Sequence, residues 1–185
     1  LQPLREAGKL GAIHFQFPPW YVYNPRNLEY IQHLSETYGG DCLGVEFRHR
    51  SWLEDAALPT VTAALRESGI SLTVVDEPQV GSGSVPTVLE VTQPRLAIAR
   101  FHGRNAKTWY IRAKTTAERF DYLYSEEELR DWTPRLAQLA ERADEIHALF
   151  NNNAQDYAVQ NARQMRLLLR EGLPEHEIVA SPEEG

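Results

Sequence analysis

Leu96-Ala97-Ile98-Ala99-Arg100-Phe101-His102 reads as a β-strand whose two faces differ. Ala99 and Phe101 point one way, and Arg100 and His102 point the other, because successive side chains on a strand alternate. A strand covered by helices on both faces is a nearly continuous apolar run. This one is not. The same asymmetry recurs along the chain. Ile13, Phe15 and Phe17 oppose His14 and Gln16. Val45 and Phe47 oppose Glu46 and Arg48. Ile146, Ala148 and Phe150 oppose His147 and Asn151. In Ser71–Asp76, Asp76 shares a face with Leu72 and Val74. The polar residues crowd towards the C-terminal strand ends. A barrel lumen with a site at its C-terminal mouth has this pattern.

The intervening segments carry helical spacing. Asn27–Tyr38 places Leu28, Ile31, Leu34 and Tyr38 on one stripe, and Gly39-Gly40 ends it. A helix from Pro59 to Glu67 turns Val61, Ala64 and Leu65 inward. Ser125 with Glu128 three residues on is a capping-box signature. It opens a helix whose buried stripe is Leu129, Trp132, Leu136 and Leu139. Ala154–Arg170 is the last helix, with Ala158, Ala162, Met165 and Leu169 inward. Val88–Val91 is a weak further strand, Gly81–Ser84 a flexible loop, and Gly103–Tyr124 a long insertion. Strands starting near Gly11, Leu43, Ser71, Leu96 and Glu145, separated by helices, make a parallel α/β sheet. They read as about five of the eight strand–helix units of a (β/α)8 barrel. Neither G-x-G-x-x-G nor a Walker sequence supports a nucleotide-binding doubly wound sheet instead.

The chain has 185 residues, 42% of them hydrophobic, and a net charge of −7. Residues 1–173 read as the C-terminal part of a single TIM-type barrel domain, and 174–185 as an acidic, frayed tail. The composition excludes whole-chain disorder. The acidity argues against a whole-surface nucleic-acid binder. One cysteine, Cys42, excludes an internal disulfide framework and is expected to be a small buried hydrophobe. With no visible signal peptide or membrane span, the expected compartment is the cytoplasm. Leu1–Ala7 reads as the last turns of a helix, closed by Gly8, so the chain is expected to begin inside an element.

The candidate chemistry lies at strand ends. Arg100, His102, Arg104 and Asn105 suit a phosphate or carboxylate clamp with His102 as acid or base. The bland alternative is an ion-pair network joining Arg100 to Glu46 or Asp76. Glu46 could serve as a general base or merely anchor Arg48 across the lumen. Asp76 sits where barrel enzymes place catalytic acids, and equally where a cap belongs. Gln16 and Asn151 can orient a polar ligand, and Tyr122 and Tyr124 could bond a ligand or lid the barrel. Trp52 and the rigid Pro18-Pro19-Trp20-Tyr21 loop read mainly as packing, and His33 as surface.

Taken in order, these motifs resemble one family. They are Phe15-Gln16-Phe17-Pro18-Pro19, Glu46-Phe47-Arg48-His49 with Ser51-Trp52, and Arg100-Phe101-His102-Gly103-Arg104-Asn105. Tyr122-Leu123-Tyr124-Ser125 with Glu128-Leu129, and Phe150-Asn151-Asn152 with Asn161-Ala162, complete the set. Together they are similar to the YecE-like family, domain of unknown function seventy-two. The resemblance implies a TIM-type barrel without an established reaction, and three further strands, roughly 90 to 100 residues, before residue 1. Asn153, where the family often has His, and Asp156, where it often has Gly, depart from that pattern.

The expectation is therefore a barrel acting on a small anionic, phosphorylated or carboxylated, metabolite. Glu46, Asp76 and His102 would be catalytic. Gln16, Arg48, Arg100, Arg104, Asn105, Asn151 and Tyr124 would bind substrate. No cofactor and no metal are assigned, although Glu46, Asp76 and His102 could together hold a divalent ion. The alternative is a non-catalytic binding module for nucleic acid or a protein partner.

Overall fold

In the computed structural model, residues 1–109, 118 and 120–179 are described. The inner part of the long insertion and the last residues of the acidic tail lie outside them. Five strands form one sheet: β1 (Ile13–Gln16), β2 (Leu43–Glu46), β3 (Ile70–Asp76), β4 (Ala97–Phe101) and β5 (Ile146–Phe150). All pairings are parallel and the spatial order is the sequence order. The architecture is an open half-barrel. Residues 88–91 are not a strand. Instead the segment beside them runs along β3, where Thr92 Oγ1 accepts from Leu72 N and donates to Ile70 O. It satisfies backbone groups that β4 starts too late to reach.

The helices are α1 (Gln2–Glu6), α2 (Pro25–Tyr38), α3 (Leu58–Glu67), α4 (Glu126–Ala140) and α5 (Tyr157–Gly172). Local signals set their starts. The Asn24 side chain accepts from Asn27 N, with Pro25 in the first turn of α2. Ser125 and Glu128 form the full capping box of α4. Helices α2 and α3 bury Leu28, Ile31, Val61 and Leu65 beneath the first three strands. Helix α4 lays Leu129, Trp132, Leu136 and Leu139 beneath Ala97, Ala99 and Phe101. Phe101 stacks on Phe150 at 4.5 Å and meets Trp132 edge-on at 4.8 Å. Such ring pairs each add about 0.5–1.5 kcal/mol beyond area burial.

The α5 stripe departs from the expected one. Asn161, Met165 and Leu168 are buried, whereas Ala162 is exposed and Ala158 and Leu169 are only half-covered. Asn161 turns inward because its amide bonds Tyr124 N, Tyr124 O and Asn152 Nδ2. Cys42 is half-exposed rather than buried.

The opposite sheet face carries the lumen. Gly44 allows its close packing: a Cβ there would lie 2.5 Å from Ile98 Cδ1 and 3.3 Å from His14 Cδ2. His14 Nε2 meets Thr73 Oγ1 at 3.0 Å on this floor, and above it the C-terminal strand ends carry charged groups. That end positions the site.

Candidate functional site at the lumen mouth

Glu46 ends β2, pointing into the lumen, and is wholly buried. Its Oε1 accepts from Arg48 Nη1 at 3.1 Å and from His102 Nε2 at 3.0 Å. Its Oε2 accepts from Arg100 Nη1 at 2.7 Å. Arg48 also pairs with Glu77 Oε2 at 3.2 Å, and its guanidinium lies 5.0 Å from the Trp109 ring centroid. Glu77, which the sequence motifs did not single out, therefore balances Arg48. Arg100 reaches across the mouth, donating also to Gln16 Oε1 at 2.7 Å and to Asn151 Oδ1 at 3.1 Å. One guanidinium thus ties together residues from β1, β2 and the end of β5.

The Arg100 bond fixes the amide orientation of Asn151, because only its oxygen can accept from Nη2. Asn151 Nδ2 then faces His102 Nδ1 at 3.0 Å, and Nδ1 must accept. His102 consequently carries its proton on Nε2 and donates it to Glu46. The 2.8 Å separation of Arg48 Nη1 from His102 Nε2 is the third side of a triangle. Both N–H groups in it point to Glu46 Oε1. Burial pushes His102 down to about 4, against the Glu46 hydrogen bond and with the help of Arg48 and Arg100. For Glu46, burial acts upward, but the His102 bond and the surrounding positive charge outweigh it and hold the carboxyl at about 2. At neutral pH the pair is a carboxylate and a neutral imidazole. Trp109 and Phe120, with ring centroids 6.2 and 5.7 Å from that of His102, cover it.

Asp76, Arg104 and Tyr124 lie elsewhere. Asp76 shares the helix-facing side of β3 with Leu72 and Val74, so it does not line the lumen. It accepts from Arg104 Nε at 3.1 and 3.0 Å. Arg104 Nη1 continues to Glu128 Oε1 at 3.2 Å, which also accepts from Tyr122 Oη at 2.6 Å. Burial raises the Asp76 carboxyl, against the opposing pull of Arg104. Burial and the Glu128 bond push the Tyr122 hydroxyl up to about 12. Tyr124 is a core residue at 1% exposure whose Oη accepts from Gly103 N. Gly103 is required there: its φ is +86° and a Cβ would lie 2.7 Å from Tyr122 Cβ. Asn105 is half-buried and shapes its own turn, donating to Asp121 O and accepting from Lys107 N. Trp52 is buried packing, stacked on Phe47 at 4.3 Å. His33 is on the surface beside Glu36.

The divalent-ion reading meets a geometric obstacle, because Asp76 faces away from Glu46 and His102. Among the described residues no three His, Cys, Asp or Glu side chains form a metal-holding group.

A family model described as "Protein of unknown function DUF72" matches residues 1–183. The chain belongs to the DUF72 family. The UPF0759 protein YunF of Bacillus subtilis is 37% identical over 172 residues, covering 91% of this chain and 61% of that protein. A crystal structure of a DUF72 family protein from Enterococcus faecalis superposes with a TM-score of 0.86 at 30% identity. It covers 97% of this chain and 65% of that one. One from Thermotoga maritima gives 0.81 at 37% identity, over 91% of this chain and 61% of that one. The chain thus spans less than two thirds of the length of these DUF72 relatives. Among the described residues, no helix is long and apolar enough to cross a membrane.

Proposed function

We propose that the lumen mouth binds a small anionic metabolite, phosphorylated or carboxylated, and that Glu46 and His102 act on it by general acid–base chemistry. Arg100 carries this reading. Its side chain is 19% exposed while the carboxylate that neutralises it is wholly buried. Its Nε–H and one Nη2–H have no acceptor among the described residues. A guanidinium with donors to spare suits a planar carboxylate or a phosphate.

A ligand hydroxyl that replaces the Asn151 amide would meet the lone pair of His102 Nδ1. Its O–H bond would break as the Nδ1–H bond forms, the bonding pair staying on the ligand oxygen, and Glu46 would stabilise the imidazolium through Nε2–H. The bound anion favours this step. The Arg100 charge helps to depress His102, and an anion beside Arg100 offsets that charge and raises the imidazole towards working pH.

The near-complete burial of His102 beneath Trp109 and Phe120 favours a second reading, a non-catalytic binding module in which Glu46 and His102 only position Arg100. Both readings need Arg100. Calorimetric titration with inorganic phosphate should show saturable binding that Arg100→Gln weakens by about tenfold or more, the worth of a charged hydrogen bond. Equal phosphate affinity in the variant would contradict both. A rise in the His102 pKa on phosphate saturation supports the acid–base reading, and an unmoved pKa supports the binding module.

A further inference from the structure

A cavity of about 420 Å³ opens beyond the C-terminal end of β3, and Asp76, Pro78, Val80, Arg104 and Arg135 are among its lining residues. The volume falls in the range of small-molecule sites. Two guanidiniums face it with donors unused. Arg104 spends Nε on Asp76 and one Nη1–H on Glu128, leaving Nη2 without an acceptor among the described residues. Arg135 makes no hydrogen bond or ion pair with them. Its head rests instead over the Trp132 ring, 5.1 Å from the centroid. Trp132 is wholly buried three residues earlier on α4, so it holds the cation at the cavity wall without neutralising it.

The charges at this wall are unequally met: Arg104 is paired with Asp76 and Glu128, whereas Arg135 has no carboxylate partner among the described residues. Asp76 is 5% exposed and taken by Arg104, while Glu77 is 3% exposed and taken by Val85 N and Arg48. The half-exposed groups are the cations.

We propose that this cavity is a second anion site, distinct from the lumen mouth, and that it takes a phosphate monoester carried on a small apolar body. Arg135 supplies the unpaired charge, and the unused N–H groups of both guanidiniums suit the three terminal oxygens of a phosphate monoester better than the two of a carboxylate. Pro78, Val80 and Ala106 offer the apolar wall. Arg135, outside every sequence motif, is its specific residue.

Calorimetry on the full chain with phenyl phosphate, inorganic phosphate and benzoate tests this. Phenyl phosphate should bind saturably and more tightly than the other two. Arg135→Gln should weaken it by about tenfold or more, one charged hydrogen bond, while the variant melts cooperatively within a few degrees of wild type, the difference being the loss of its contact with Trp132. Arg135→Glu should abolish it, and Arg100→Gln should leave it intact. Wild-type phenyl phosphate affinity in Arg135→Gln would overturn the proposal. So would loss of all binding in Arg100→Gln, which would assign the phosphate to the lumen mouth. Benzoate binding as tightly as phenyl phosphate would overturn the choice of a dianion.

Discussion

Replacing Glu46 by Gln keeps the shape of the side chain and removes its charge. The wild-type carboxylate accepts three hydrogen bonds, from Arg48, Arg100 and His102. An amide can accept at one terminal atom only, so its NH2 must face either Arg100 or the Arg48–His102 pair, donor against donor. Breaking a buried ion pair from one side costs about 3–5 kcal/mol. Two features place this case near the lower end. Arg48 retains Glu77. Arg100 retains Gln16 and Asn151 and can take water at its exposed edge. The expected loss is about 3 kcal/mol, read from urea unfolding at pH 7 as a lower midpoint with an unchanged slope. The variant should also lose the part of acid sensitivity that belongs to Glu46. A carboxyl depressed to about 2 contributes stability that is full above its ordinary range and fades as pH falls through about 2. A loss below about 1 kcal/mol, a typical single hydrogen bond, would refute the idea that Glu46 holds the mouth together.

The His102 imidazole gives a second pH signature. Its folded pKa of about 4 lies below the ordinary 6.5, so the unfolded chain takes up the proton first. Stability should be full above pH 6.5 and fall by on the order of 3 kcal/mol by pH 4, and His102→Gln should flatten that window in a pH series of melts. Gly44→Ala should destabilise by about 1–3 kcal/mol through the clash with Ile98, and pairing it with Ile98→Val should recover part of the loss. Arg104→Ala should cost about 3 kcal/mol in chemical unfolding, because it leaves Asp76 buried and unpaired. A change within about 0.5 kcal/mol would instead mark Arg104 as a surface residue.

The half-barrel was legible because polar and apolar residues alternate so regularly. His14 and Gln16, Glu46, Arg100 and His102 do line one face, and α4 buries the four residues its spacing picks out. The position of Asp76 was legible too. It shares parity with Leu72 and Val74, and its place at a strand end masked the fact that it faces the helices. The placement of Tyr124 had no such signal, since it follows from Gly103 turning the chain at a positive φ. Asn161 and Glu77 act through partners far along the chain, Tyr124 and Arg48. No local spacing encodes those contacts. On α5, spacing named Ala162 and Leu169, but β5 is an edge strand and covers that helix on one side only.

The state of the His102 ring is the most direct test of the mouth. Nitrogen-15 NMR of the histidine side chains at pH 7 should show His102 neutral, protonated on Nε2, with an unprotonated Nδ1 that titrates only near pH 4. An imidazolium at pH 7, or a proton on Nδ1, would contradict the bond order Arg100–Asn151–His102–Glu46 on which the account rests.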